Sequence, residues 1–184
     1  MTGDRPSAPF FTVGHSNRAL AEFVDLLHGS GIELVVDVRR LPGSARYPWF
    51  DEDALRRSLR AEGIDLHRAA GLAGRRPASR DVPPEVNGWW ENRSFHHYAD
   101  HALSDEFRRA LSELREQGRT RRLAVMCAEA VWWRCHRRIV ADHLLARGEA
   151  VRHVLAQGRV EDARLSAGAV VGAGGEVTYP ASGP

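Results

Sequence analysis

Short apolar runs alternate along the chain with segments whose apolar residues recur every three to four positions. Phe10-Phe11-Thr12-Val13 reads as a strand buried on both faces, and Gly14-His15-Ser16-Asn17 supplies turn and helix-cap residues after it. Leu20, Phe23, Leu26 and Leu27 then keep helical spacing until Gly29 and Gly31 end the segment. Residues 34–38 predict a second strand, Leu41-Pro42-Gly43-Ser44 a turn, and a helix opening near Asp51 carries Leu55 and Leu59 as far as Gly63. A third strand is expected over 64–67, before the loop Gly71-Leu72-Ala73-Gly74-Arg75-Arg76. Ser104 caps a helix with Phe107, Leu111 and Leu114, which Gly118 is expected to end. Leu123-Ala124-Val125-Met126 is the clearest late strand, residues 135–147 read as a helix, and residues 151–155 return as a strand, with another short one expected around Arg164-Leu165.

This repeated βα order predicts a Rossmann-like three-layer α/β domain around a mainly parallel sheet of about five strands, because right-handed crossovers lay helices on both faces. With 184 residues, 43% of them hydrophobic, one domain is expected. Its body is assigned to residues 10–167, with a flexible start over 1–9 and a loose Gly-, Ala- and Ser-rich tail over 168–184. Residues 69–103 are the least regular stretch, holding Pro83-Pro84, Asn87-Gly88, Trp89, Trp90, Phe95 and Tyr98. They read as an irregular insertion, equally suited to a functional loop or to a small apolar cluster.

The 26 basic residues, all arginine, nearly balance 24 acidic ones, so bulk charge does not mark a polyanion-binding protein and local clustering must carry that case. No apolar run approaches the roughly 20 residues of a membrane span, and the N-terminus lacks a secretory pattern, so no membrane partner and a cytoplasmic location are expected. Cys127 and Cys135 cannot make a disulfide scaffold. Since one follows a strand and the other enters a helix in a reducing compartment, they are expected to stay thiols.

The chemistry-bearing residues follow strand ends, where open α/β sheets gather their ligands. Asp37, Glu129 and His15 are the catalytic candidates: two carboxylates for acid/base work and an imidazole for proton transfer or orientation. The bland alternatives are a turn histidine and an Asp37 that pairs with Arg39. Ser16, Arg39, Arg75, Cys127, His136 and Arg137 are the ligand-binding candidates. Among them Arg137 and its neighbours at a helix start form a cradle for phosphate or carboxylate, and Arg137 is expected to matter more to affinity than Cys127. Cys127 reads first as a small buried residue, and the six residues between Cys127 and Arg134 miss the five-residue spacing of a cysteine phosphatase loop. Zinc on Cys127, Cys135 and His136 has suitable donors but awkward adjacency and no paired CxxC, so no metal ligands are assigned. Trp89, Trp90, Trp132 and Trp133 suit either base stacking or core cover. Neither a Walker sequence nor GxGxxG occurs, and no cofactor is assigned.

Taken in order, Thr12-Val13-Gly14-His15-Ser16-Asn17, Val36-Asp37-Val38-Arg39, Gly71-Leu72-Ala73-Gly74-Arg75-Arg76, Tyr98-Ala99-Asp100, Cys127-Ala128-Glu129 and Cys135-His136-Arg137-Arg138 resemble the domain of unknown function 488 family over roughly residues 10–157. The chain departs from the expected pattern at Ala73, where a Leu-Gly-Gly-like turn is usual. The resemblance implies the same compact α/β domain and no defined activity. The leading expectation is an enzyme that acts by hydrolysis or group transfer on an anionic, phosphorylated small molecule, nucleotide or nucleic-acid component. The alternatives are a noncatalytic nucleotide or nucleic-acid binding module and a cysteine-dependent redox or metal-binding protein.

Overall fold

The computed structural model describes residues 7–181. Its core is a six-stranded sheet in the order β3-β2-β4-β1-β5-β6, built from β1 (Phe10–Gly14), β2 (Leu34–Asp37), β3 (Asp65–Arg68), β4 (Leu123–Cys127), β5 (Val151–Ala156) and β6 (Arg159–Asp162). The first five strands are parallel, and β6 turns back antiparallel on β5. The edge strand thus lies over 159–162 rather than around Arg164-Leu165, because the tight turn at Gly158, at φ 69°, brings the chain straight back along β5.

Alternate residues of each strand feed two cores. Phe11, Val13, Val35, Ala124 and Met126 pack with Phe23, Leu26 and Leu27 of α1 (Leu20–Gly29) and with Leu55 and Leu59 of α2 (Glu52–Ala61). Phe10, Val36, Val125 and Cys127 pack instead with Tyr98 of α3 (Arg93–His101), Phe107 and Leu111 of α4 (Asp105–Thr120), and Ile139 and Leu144 of α5 (Arg137–Ala146). From β1 to β2 and β2 to β3 the chain steps one way across the sheet, with its helices on the first face. From β3 to β4 and β4 to β5 it steps the other way, with its helices on the second. One crossover hand requires that exchange of faces. The domain is Rossmann-like with three layers, and its direction of winding reverses beside β1, β4 and β2.

Three local expectations are corrected. The stretch over 69–103 is not irregular throughout: its last part is the regular helix α3, which Asn92 caps by accepting from the Ser94 and Phe95 amides, and the buried Asn87 side chain donates to Asp100 and accepts from the Tyr179 amide. Residues 168–181 are no loose tail. Val170–Val171 (β7) and Val177–Thr178 (β8) pair, Tyr179 is fully buried, and its hydroxyl donates to Asp142 at 2.7 Å. The glycines there shape a tight turn, with Gly175 at φ 81°, and residues 1–6 and 182–184 lie outside the described residues. Gly118 does not stop α4. It is the point where the helix passes the Phe10 ring, which any Cβ would strike.

Candidate functional site

The registers Gly14↔Cys127 and Asp37↔Met126 end β1, β4 and β2 at nearly one level. Above those ends lies a cavity of about 1160 Å³, walled by the loops after β1, β2, β3 and β4 and by the start of α3. Gly14 makes the junction possible. The Glu129 carbonyl sits where its Cβ would be, while the His15 and Ser16 amides donate to the Cys127 and Ala128 carbonyls at 2.9 and 3.0 Å. Ser16, expected to help start a helix, is held instead in the left-handed region at φ 50°, and α1 begins only at Leu20. Arg75, also on the wall, is left-handed at φ 55°. Such conformations persist where surrounding contacts enforce them.

Of the expected site residues, His15, Ser16, Arg39, Arg75, Cys127, Glu129 and His136 line this one cavity. Asp37 and Arg137 do not. Asp37 is 0% exposed and lies behind Arg39, whose Nε and Nη2 donate to its two oxygens at 2.8–3.1 Å and whose amide donates to Oδ1. Arg39 Nη1 then donates to the Phe50 carbonyl at 2.7 Å and reaches His15 Nε2 at 3.3 Å. His15 Nδ1 faces the Ser16 carbonyl, which can only accept, so the proton belongs on Nδ1 and Nε2 receives Arg39. Burial, with Arg39 assisting, lowers His15 from 6.5 to about 4 against the pull of the Ser16 bond. His15 is therefore a neutral, doubly held ring stacked on Phe50 at 4.2 Å, and a poor proton shuttle near neutral pH.

Arg137 is only 1% exposed, donating to Thr12 Oγ1 at 3.2 Å and to the Glu129 carbonyl at 2.7 Å. It buttresses the loop after β4 from beneath, so the anion cradle expected around it is not where the exposed charge sits. That charge comes from Arg40, Arg46, Arg75 and Arg134, all exposed on the cavity wall and, among the described residues, in no ion pair. Glu129 is the single carboxylate among the lining residues; it is exposed and, among the described residues, its side chain has no hydrogen-bond or ion-pair partner. Sequence reasoning weighs Arg40 with Arg39 as phosphate-binding or merely solvating an exit loop, and it passes over Arg46 and Arg134 as site residues, although each lies in a loop that leaves a strand end.

Cys135 was also left out of the expected site. Residues 128–134 fold back on themselves, and its sulfur comes within 2.8 Å of the Cys127 sulfur, both being free thiols on the cavity wall. Arg137 N–H points at Cys135 Sγ over 3.4 Å. His136 donates from Nε2 to the Val38 carbonyl at 3.1 Å, turning Nδ1 toward Cys135 Sγ at 3.6 Å. The ring is seated against Tyr98 at 4.8 Å and over Gly74, where a Cβ would come within 2.7 Å of Nδ1. Burial opposes ionisation of Cys135, but the Cys127 hydrogen bond and the His136 and Arg137 charges outweigh it and hold the thiol well below its ordinary value. Cys127 moves well above it, through burial first, then the shared hydrogen bond and the Cys135 charge.

The four tryptophans weighed for base stacking, Trp89, Trp90, Trp132 and Trp133, stay off the cavity wall. Trp89 and Trp90 pack with Phe95 and Tyr179 beneath Arg138, and Trp132 stacks on His153 at 4.5 Å, leaving Trp133 exposed. Among the described residues no three His, Cys, Asp or Glu side chains gather as a metal site, and no helix is long and apolar enough to cross a membrane.

The family described as "Domain of unknown function DUF488" matches residues 19–144, well over half of the chain, which therefore belongs to it. No curated protein and no solved structure matches the chain.

Proposed function

We propose that this member of the family is an enzyme that binds a phosphorylated small molecule, a nucleotide or a nucleic-acid component in the arginine-lined cavity and acts on it by hydrolysis or group transfer. The observation that carries the reading is the charge of the wall: four exposed arginines without carboxylate partners surround one free carboxylate. Guanidinium forks suit phosphate oxygens, and their charge is left for a ligand because nothing within the site neutralises it. Glu129 is the acid/base candidate that remains exposed to a ligand, Asp37 being consumed by Arg39. Asp37, Arg39 and His15 position the wall, and Ser16 offers a hydroxyl at its edge. We place the protein in the reducing cytoplasm, where its adjacent thiols rest in the reduced form.

The test begins with thermal shift and calorimetry of the full chain against nucleoside mono-, di- and triphosphates, phosphorylated sugars and short oligonucleotides. Any ligand found is then followed for turnover by mass spectrometry. Arg46→Gln and Arg134→Gln should each weaken binding about tenfold, the scale of one charge-assisted contact of ~1.4 kcal/mol at an exposed site. Glu129→Gln should keep affinity and lose about 10²- to 10⁴-fold in rate. Failure of every phosphorylated ligand to bind rejects the reading. Tight, arginine-dependent binding without turnover replaces it with a noncatalytic binding module.

A further inference from the structure

Cys127 and Cys135 are the chain's only two cysteines, and they face one another across the floor of the cavity. A separation of 2.8 Å between their sulfurs puts each within reach of the other. Their surroundings are unequal. Cys135 Sγ receives the Arg137 amide and faces His136 Nδ1, a proton acceptor while Nε2 donates to Val38, whereas the other neighbour of Cys127 Sγ is the Glu129 carbonyl at 3.7 Å, which cannot donate. The amide donor on Cys135 and the imidazole nitrogen that can take its proton favour its thiolate, and the thiolate is the reactive form. Both residues are buried, 3% and 5% exposed, yet both border the cavity, so a small oxidant reaches them where a protein thiol would not.

We propose that Cys135 and Cys127 form a hydroperoxide-reactive dithiol on the cavity floor, in which Cys135 is oxidised first and Cys127 then closes an intramolecular disulfide with it. In the first step the Cys135 thiolate attacks the outer oxygen of the hydroperoxide. A sulfur–oxygen bond forms, the oxygen–oxygen bond breaks, and the departing alkoxide or hydroxide takes up a proton, leaving Cys135 as sulfenic acid. The Cys127 sulfur then attacks the Cys135 sulfur. A disulfide forms as the sulfur–oxygen bond breaks, and the hydroxide leaves as water with the Cys127 proton. Two thiols are oxidised and one hydroperoxide is reduced to an alcohol, or to water when hydrogen peroxide is used, with one further water released. A small external thiol reverses the change. Nothing in this couple depends on the phosphorylated ligand.

Purified full chain is exposed to stoichiometric hydrogen peroxide, denatured, alkylated and weighed. The count of alkylated thiols should fall from two to none and return to two after reduction. Trypsin cuts after Arg134, between the two cysteines, so a linked pair of peptides identifies the bond. Cys127→Ser should accumulate a Cys135 sulfenic acid that a 1,3-dione traps about tenfold faster than it labels Cys127 in Cys135→Ser. Two thiols that survive treatment, or linkage between separate chains, overturn the proposal; so does equal labelling of the two variants. The thiol count and peptide map of the natural chain decide the matter even where a serine variant folds poorly. Because no phosphorylated compound enters these measurements, their outcome is separate from that of the ligand screen.

Discussion

Asp37 and Arg39 show how one buried contact changes the meaning of a residue. A carboxylate at a strand end suits a general base, but Asp37 spends both oxygens on the guanidinium and backbone of Arg39, with side-chain exposures of 0% and 5% for the pair. Removing one partner of a buried pair leaves the other charge without compensation. Asp37→Asn should therefore lower the unfolding free energy by about 3 to 5 kcal/mol, read from urea denaturation. It should also release Arg39 from its hold on Phe50 and His15. An Asp37→Asn protein of natural stability that has lost turnover would return Asp37 to the catalytic role. Arg137 teaches the same lesson with the opposite charge: a guanidinium at a helix start looked like an anion ligand, but it is turned inward onto Thr12 and the Glu129 carbonyl.

At the scale of elements, the loop after β4 carries Glu129, Arg134 and Cys135, and it rests on Gly14. Gly14→Ala should force the Glu129 peptide away, lowering stability by about 1 to 3 kcal/mol and weakening every cavity-dependent property. Thermal melting beside the thiol count under peroxide checks this, and a variant unchanged in both would show that the loop does not depend on the glycine. The strands and their carboxyl ends were legible because short apolar runs followed by glycine and polar residues have one good reading in a parallel sheet. Seven residues of the wall followed from that: His15, Ser16, Arg39, Arg75, Cys127, Glu129 and His136. Helix α3 was not legible. Phe95, Tyr98 and Ala99 have helical spacing, but they sit among Trp, Pro and His residues, and the cap at Asn92 shows only once the chain is folded. The nearness of Cys127 and Cys135 was hidden too, since seven residues of loop can separate two sulfurs widely or return them to contact.

For the whole molecule, burying polar rings in both layers ties stability to pH. Burial is the leading cause that lowers His15 and His153 from 6.5 to about 4 and His143 to about 3. His153 lies between the Trp132 ring and the Thr12 hydroxyl, and His143 packs against Phe107. The folded state thus holds all three neutral where the unfolded chain would protonate them. Their stabilising effect is present above about pH 6.5 and is lost as pH falls toward 4, because over that window the unfolded state binds more protons. Asp142 acts in the opposite sense: burial raises it, so the folded form favours its proton and its contribution fades as pH rises. Burial lowers His101 in the same direction, so four histidines against one carboxylate leave the histidines in control. Each uncompensated proton steepens the dependence by about 1.4 kcal/mol per pH unit, so the unfolding free energy should fall steeply between pH 6.5 and 4, with a slope equivalent to two or three protons near pH 5. Urea denaturation at half-unit steps of pH measures that slope. A flat profile through this window would mean that the three rings are protonated in the folded protein or open to water, and the buried neutral hydrogen bonds assigned to His15 and His153 would have to be withdrawn.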